Sequence, residues 1–151
     1  MSTHDDVLSE AQRRFGEFVD AVGSRARVAV FCHFDADGLA AGAVLARGMR
    51  GIGFNDVHVV PSLRGESAFA DSARSRLRAL NPDALVVADL GVHANGVLPG
   101  VPTLFVDHHR PSGVPADATV ISAYGWDQKT SSPLPAWPLP TPHPSEDHAI
   151  G

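Results

Sequence analysis

The chain has one cysteine, Cys32, and one lysine, Lys129. A single cysteine excludes a disulfide framework and any zinc site built on thiolates. No apolar run approaches the ~18–20 residues that a membrane-spanning helix needs. The first ten residues, Met1 to Glu10, are polar and acidic, without the basic-then-apolar pattern of a secretory signal. From these absences a cytoplasmic protein with no membrane partner is expected. An excess of positive charge is missing too. The formal net charge is −5, which argues against a strongly basic nucleic-acid binder. No internal repeat is present.

What the 151 residues do hold is an ordinary globular composition, 44% apolar, which excludes wholesale disorder. That length suits one domain with a sizeable core. Residues 5–22 predict an amphipathic helix, because Val7, Leu8, Ala11, Phe15, Phe18, Val19 and Val22 recur at helical spacing before Gly23 and Ser24 stop it. Arg27–Phe31 is a short β-branched and apolar run that suits a buried strand. Gly38–Met49 predicts a helix, rich in small residues for close approach to a sheet. A second strand is expected over Val57–Pro61, a helix over Ser67–Leu80, and further strands over Ala84–Ala88, Thr103–Val106 and, more weakly, Thr119–Ser122. This alternation predicts an α/β fold: a parallel sheet of about five strands with helices on both faces. Ligand sites in such sheets lie at the carboxyl ends of the strands.

Three of those strands run into acids and histidines. The first meets His33, Asp35, Asp37 and Gly38; the third meets Asp89; the fourth meets Asp107, His108 and His109. Each piece alone reads as a turn or a helix cap. Together they bring four carboxylates to one edge, where they repel one another unless cations neutralise them. Carboxylate and imidazole donors without thiolates favour manganese or magnesium. Two divalent ions would cancel the charge of Asp35, Asp37, Asp89 and Asp107. His108 and His109 project differently from one turn, so one can bind metal while the other faces a substrate oxygen. Cys32 reads as a small buried apolar residue in preference to a nucleophile.

Taken in order, HFDADG (His33–Gly38), VVADLG (Val86–Gly91) and VDHH (Val106–His109) resemble the three motifs of the DHH phosphoesterase superfamily, and HFDADGLAAGAVLARG looks closest to its RecJ-like branch. The resemblance covers roughly residues 25–125 and implies a Rossmann-like DHH domain. It implies that Asp35 and Asp37 each ligate one of two manganese ions (magnesium is the second choice), that Asp89 bridges both, and that His108 is a ligand. Asp107 and His109 would act near the metal or phosphate, orienting water and substrate. His33 stays open between a ligand, a group behind the ligands and a plain strand-end residue, because the related pyrophosphatases carry their ligand His four residues before the first Asp of the pair, where this chain has Phe31. The implied reaction is manganese-dependent hydrolysis of a phosphate ester, with two ions activating water and holding phosphoryl oxygens. The implied substrate is single-stranded nucleic acid, a short oligonucleotide or a nucleotide.

The pattern departs from the family downstream. A fourth Asp motif and a glycine-rich substrate domain have no counterpart; Asp127 and Asp147 follow no plausible strand. Thr130-Ser131-Ser132 resembles the start of the next helix, but Pro133–Pro144 (PLPAWPLPTPHP) then precludes helix and inner strand. The expected organisation is an N-terminal helix over 1–24, a partial DHH domain over 25–125 and a proline-rich tail over 126–151. A longer phosphoesterase interrupted by truncation or frameshift would explain the break. The alternative to an active enzyme is then a fragment that binds metal without turnover. A third reading, a module binding nucleic acid or protein, would use the tail and Arg64, Arg74, Arg76 and Arg78; a solvated helix is the plainer account of these arginines.

Overall fold

The computed structural model describes residues 4–124. The proline-rich tail over 126–151, with Asp127, Asp147 and Thr130–Ser132, lies outside the described residues. Chain order is α1 (His4–Val22), β1 (Arg27–Cys32), α2 (Ala36–Gly51), β2 (Asp56–Pro61), α3 (Asp71–Ala79), β3 (Ala84–Ala88), β4 (Thr103–Asp107) and β5 (Ala118–Ser122). The five strands form one sheet in the order β2-β1-β3-β4-β5, and every pairing is parallel.

The alternation of side chains along the strands divides the core into two layers. Val28 and Val30 of β1 join Val86, Leu104 and Val106 beneath α1 and α2, which contribute Phe18, Ala46 and Met49. Ala29 and Phe31 point the other way, with Leu85, Val87 and Phe105, onto Ala73 and Leu77 of α3 and onto Val92, Val97 and Leu98 of the segment after β3. Both faces of β3 are therefore covered, and all five of its residues are buried. This explains why ALVVA is a continuous apolar run instead of an alternating one. β2 and β5, at the two edges, are only partly buried.

The sequence boundaries hold closely except at α3. A helix is expected from Ser67, yet α3 starts at Asp71. Ser67 closes a local turn instead: its carbonyl accepts from Ala70 N at 3.1 Å and its hydroxyl from Phe69 N at 3.2 Å. Such side-chain-to-backbone bonds compete with helix formation.

Two glycines bring α2 onto the end of β1. A Cβ on Gly42 would lie 2.6 Å from Cys32 Sγ, and one on Gly38 would lie 2.4 Å from the His33 carbonyl oxygen. Only glycine permits these approaches, which set the first turn of α2 directly against the carboxyl end of β1. The chain leaves β1 for β2 on one side and later returns to β3 on the other. The gap above β1 and β3 is thus the topological switch point, where open α/β sheets bind ligands.

Candidate metal centre

His33 follows β1, and Asp35 caps α2. The Asp35 backbone is extended, and its Oδ1 accepts from Gly38 N at 2.8 Å. Its other oxygen lies 2.9 Å from His33 Nδ1. The Gly38 N–H first, and then the His33 ring, hold the Asp35 carboxyl below the usual carboxylate range. Asp37 is exposed in the first turn of α2.

Asp107 ends β4 and is buried. Its Oδ2 accepts from Gly91 N at 2.8 Å; its Oδ1 accepts from His109 N at 2.6 Å and meets the His109 ring Nδ1 at 2.8 Å. The carboxylate therefore ties the turn after β3 to the turn after β4 and fixes the His109 ring. The rings of His108 and His109, both exposed, lie with centroids 4.3 Å apart.

Asp89 differs from these neighbours. It leaves β3 with φ of 59°, a left-handed conformation that Asp tolerates better than most residues but still at a cost. Its side chain is only 14% exposed, and its buried Oδ1 has no hydrogen-bond partner. His108 Nδ1 is 3.7 Å and His109 Nδ1 3.9 Å from that oxygen, beyond hydrogen-bonding distance. Burial pushes the Asp89 carboxyl up; the two histidines oppose this, and the charges of Asp107 and Asp35 reinforce it.

Among the described residues two groups of donor atoms result, each within 4.8 Å internally: His33, Asp35 and Asp89, and Asp89, His108 and His109. Asp89 belongs to both. Asp37 and Asp107 stand outside them: Asp37 is turned to solvent, and Asp107 is committed to backbone and ring N–H groups. Cys32 lies buried below, packed with Ala41 and Ala88. Burial, and secondarily the charge of Asp89, push its thiol up, which disfavours the thiolate that a ligand or nucleophile needs. The oxygen-and-nitrogen donor set, with an orphaned buried carboxylate oxygen at its centre, fits a hard divalent cation.

A further carboxylate, Glu66, carries no motif and is passed over in the sequence. Its side chain is 4% exposed. It accepts from Leu63 N at 2.9 Å and Ser72 Oγ at 2.7 Å and is paired with Arg76, so it binds the loop after β2 to α3. Arg76 also donates to the Pro61 carbonyl, while Arg74 donates to the carbonyls of Val97 and Gly96. These two arginines are committed to the fold and not to a phosphate. No local pattern marks the Glu66 cluster, because its members come from a loop and a helix.

Architecture and site together define an α/β protein with acids and histidines gathered at a topological switch point. Similar solved structures include manganese-bound RecJ from Thermus thermophilus, with a TM-score of 0.53 and 26% identity over 77% of this chain. Another is exonuclease RecJ bound to manganese, with a TM-score of 0.58 and 24% identity over 87% of this chain. This chain spans 17% of the length of the first and 34% of the second. No family model and no curated protein sequence matches it.

Proposed function

We propose that the chain carries a DHH-type, RecJ-like phosphoesterase centre for phosphodiesters of single-stranded nucleic acid or short oligonucleotides. The observation that carries this reading is the sharing of Asp89 between the two donor groups, the arrangement that a carboxylate bridging two cations requires. Likeness to two manganese-bound RecJ structures supports the choice of ion. His33, Asp35 and Asp89 would hold one ion, and Asp89 with His108 the other. Asp37 would be a further ligand within reach of solvent. The domain would extend over 25–125, behind the helix of 1–24 and ahead of the tail of 126–151. Divalent ions bound there would supply Lewis acidity towards phosphoryl oxygens and lower the pKa of water.

The protein's own groups complete the site. Asp107 accepts from His109 at Nδ1, which orients the ring and leaves Nε2 as the nitrogen that faces a substrate oxygen. Asp35 holds the amino end of α2 in place through the Gly38 N–H, and that helix end favours an anion nearby.

The test is turnover of bis-p-nitrophenyl phosphate or a short single-stranded oligonucleotide with manganese, abolished in Asp89→Ala. The position of Asp37 outside both donor groups favours a second reading, a unit that binds metal without turning over alone. Absence of turnover, with a manganese-dependent rise in Tm retained, selects that reading. If manganese does not raise Tm, the metal centre itself is refuted.

A further inference from the structure

The segment between β3 and β4 carries an exposed histidine, His93, that none of the three motifs includes. Its backbone is pinned on both sides. Val92 O accepts from Ser112 N at 3.0 Å, and Arg74 donates to Gly96 O and Val97 O at 3.2 and 3.0 Å. A Cβ on Gly113 would fall 2.7 Å from that of Ala94, so the two segments lie in close contact there. The ring is fixed as well, against Phe69, with centroids 4.2 Å apart and planes tilted by 52°. Phe69 in turn packs on the α3 face of the core. An exposed imidazole held this firmly has lost the rotamer freedom that surface side chains normally keep.

Its direction follows from Gly91. A Cβ there would lie 3.6 Å from His93 Nε2, and Gly91 N donates to Asp107 Oδ2 at 2.8 Å. With ordinary backbone dimensions, Nε2 is then at most about 9 Å from the Asp107 carboxylate. The group it flanks is acidic, and a phosphate ester approaching it is also an anion, so a donor at the rim is needed on the protein side. Imidazole has an N–H donor in either protonation state. Arg64 and Arg110 stand exposed without side-chain hydrogen bonds among the described residues, but no ring packs against either side chain to fix its direction.

We propose that His93 is a phosphate-binding residue, donating to a non-bridging oxygen of the phosphate ester from the Asp107 side of the cleft, with Phe69 as its positioning residue. This deepens the phosphoesterase reading and rests on it for the identity of the ligand as an ester. The experiment titrates the manganese-loaded chain with 5′-AMP and, separately, with inorganic phosphate, by calorimetry. His93→Ala should weaken 5′-AMP about tenfold or more, the scale of one hydrogen bond to a charged group, with manganese affinity and Tm unchanged. His93→Gln, which keeps a donor, should recover part of the loss, and Phe69→Ala should weaken 5′-AMP less than His93→Ala does. A comparable loss for inorganic phosphate identifies the phosphate group as what His93 contacts; a loss confined to 5′-AMP overturns that assignment. Equal 5′-AMP affinity in parent and His93→Ala, or no phosphate binding by the manganese-loaded parent, overturns the proposal. If manganese does not bind, the phosphoesterase reading fails. His93 is then judged on phosphate binding to the metal-free chain, where equal affinities of parent and His93→Ala refute it.

Discussion

Replacing Asp89 by Asn should stabilise the metal-free chain while destroying its response to manganese. The carboxylate has a buried oxygen without a partner, and its charge stands near those of Asp107 and Asp35. An unsatisfied buried polar atom costs about 1–3 kcal/mol. Asparagine keeps the shape and tolerates the left-handed backbone at φ of 59°, so the substitution removes charge without adding strain. Asparagine still places a polar atom there, so what is recovered is the extra cost of a charged over a neutral unsatisfied group; about 1 kcal/mol of it raises Tm by roughly 4 °C in a domain of this size. The sign of the pH dependence follows from the direction in which burial moves the group. A carboxyl raised in the folded state contributes stability that is fully present below its unfolded value and lost as pH rises through its folded value. The advantage of Asp89→Asn is therefore largest at neutral pH and vanishes in acid. Manganese reverses the ranking. At a hundred times its Kd, an ion that binds only the folded parent adds about 2.7 kcal/mol, and the variant gains nothing comparable. Differential scanning fluorimetry at pH 7 and pH 3.5, with and without manganese, measures all four quantities. A metal-free Asp89→Asn that melts below the parent at pH 7, or one that keeps the parent's manganese shift, refutes the reasoning.

Two other perturbations test the frame around the site. Gly38→Ala places a methyl group 2.4 Å from the His33 carbonyl oxygen, a backbone contact that cannot swing aside. The loss should reach about 3 kcal/mol, the upper end for overpacking, and shrink the manganese-dependent rise in Tm; a variant with the parent's urea midpoint contradicts this. Glu66→Gln leaves Arg76 without its ion and should cost about 2 kcal/mol, below the range for a fully buried pair because Arg76 is one-third exposed. Burial raises the Glu66 carboxyl, but bonds from Leu63 N, Ser72 and Arg76 outweigh it, so its net shift is downward from 4.5. Its contribution is full above that ordinary value and lost as pH falls through the lower folded one. The parent's advantage in urea should therefore be constant from pH 7 down to about 4.5 and narrow steadily below it; an advantage that grows as pH falls below 4.5 is the contrary result.

The strands and their ends were legible because apolar runs stop abruptly at polar, ionisable side chains: VAVFC at His33, ALVVA at Asp89 and TLFV at Asp107. Parallel pairing turns those three stops into one edge, so the gathering of acids follows from topology. What each acid does there was not legible. Asp35 and Asp37 look equivalent in DAD, yet one caps a helix and bonds a ring while the other points to water. The difference arises from where α2 begins, and helix starts are set by local hydrogen bonds more than by composition. Asp107 reads as one more candidate at a strand end, but its oxygens answer an amide from the neighbouring turn. The late start of α3 and the Glu66 cluster escaped for a related reason: their determinants are single bonds between residues of different elements.

The contrast among the three strand-end acids bears directly on which of them is a ligand. A carboxylate kept for structure satisfies its oxygens with protein donors, as Asp107 does with Gly91 and His109, whereas Asp35 caps α2 through one oxygen and turns the other to His33 within a donor group. Asp89 has the same opportunity, with two imidazoles less than 4 Å away, and its inner oxygen still has no bond. It also bears a strained backbone conformation. Backbone outliers of this sort persist where surrounding structure enforces them, and they cluster at functional sites. Strain, burial and an unmet acceptor on one residue are each unfavourable, and two cations, one held with His33 and Asp35 and the other with His108, would offset the last two together. Removing Asp107 should therefore disorder the site, whereas removing the charge of Asp89 should leave it ordered and empty.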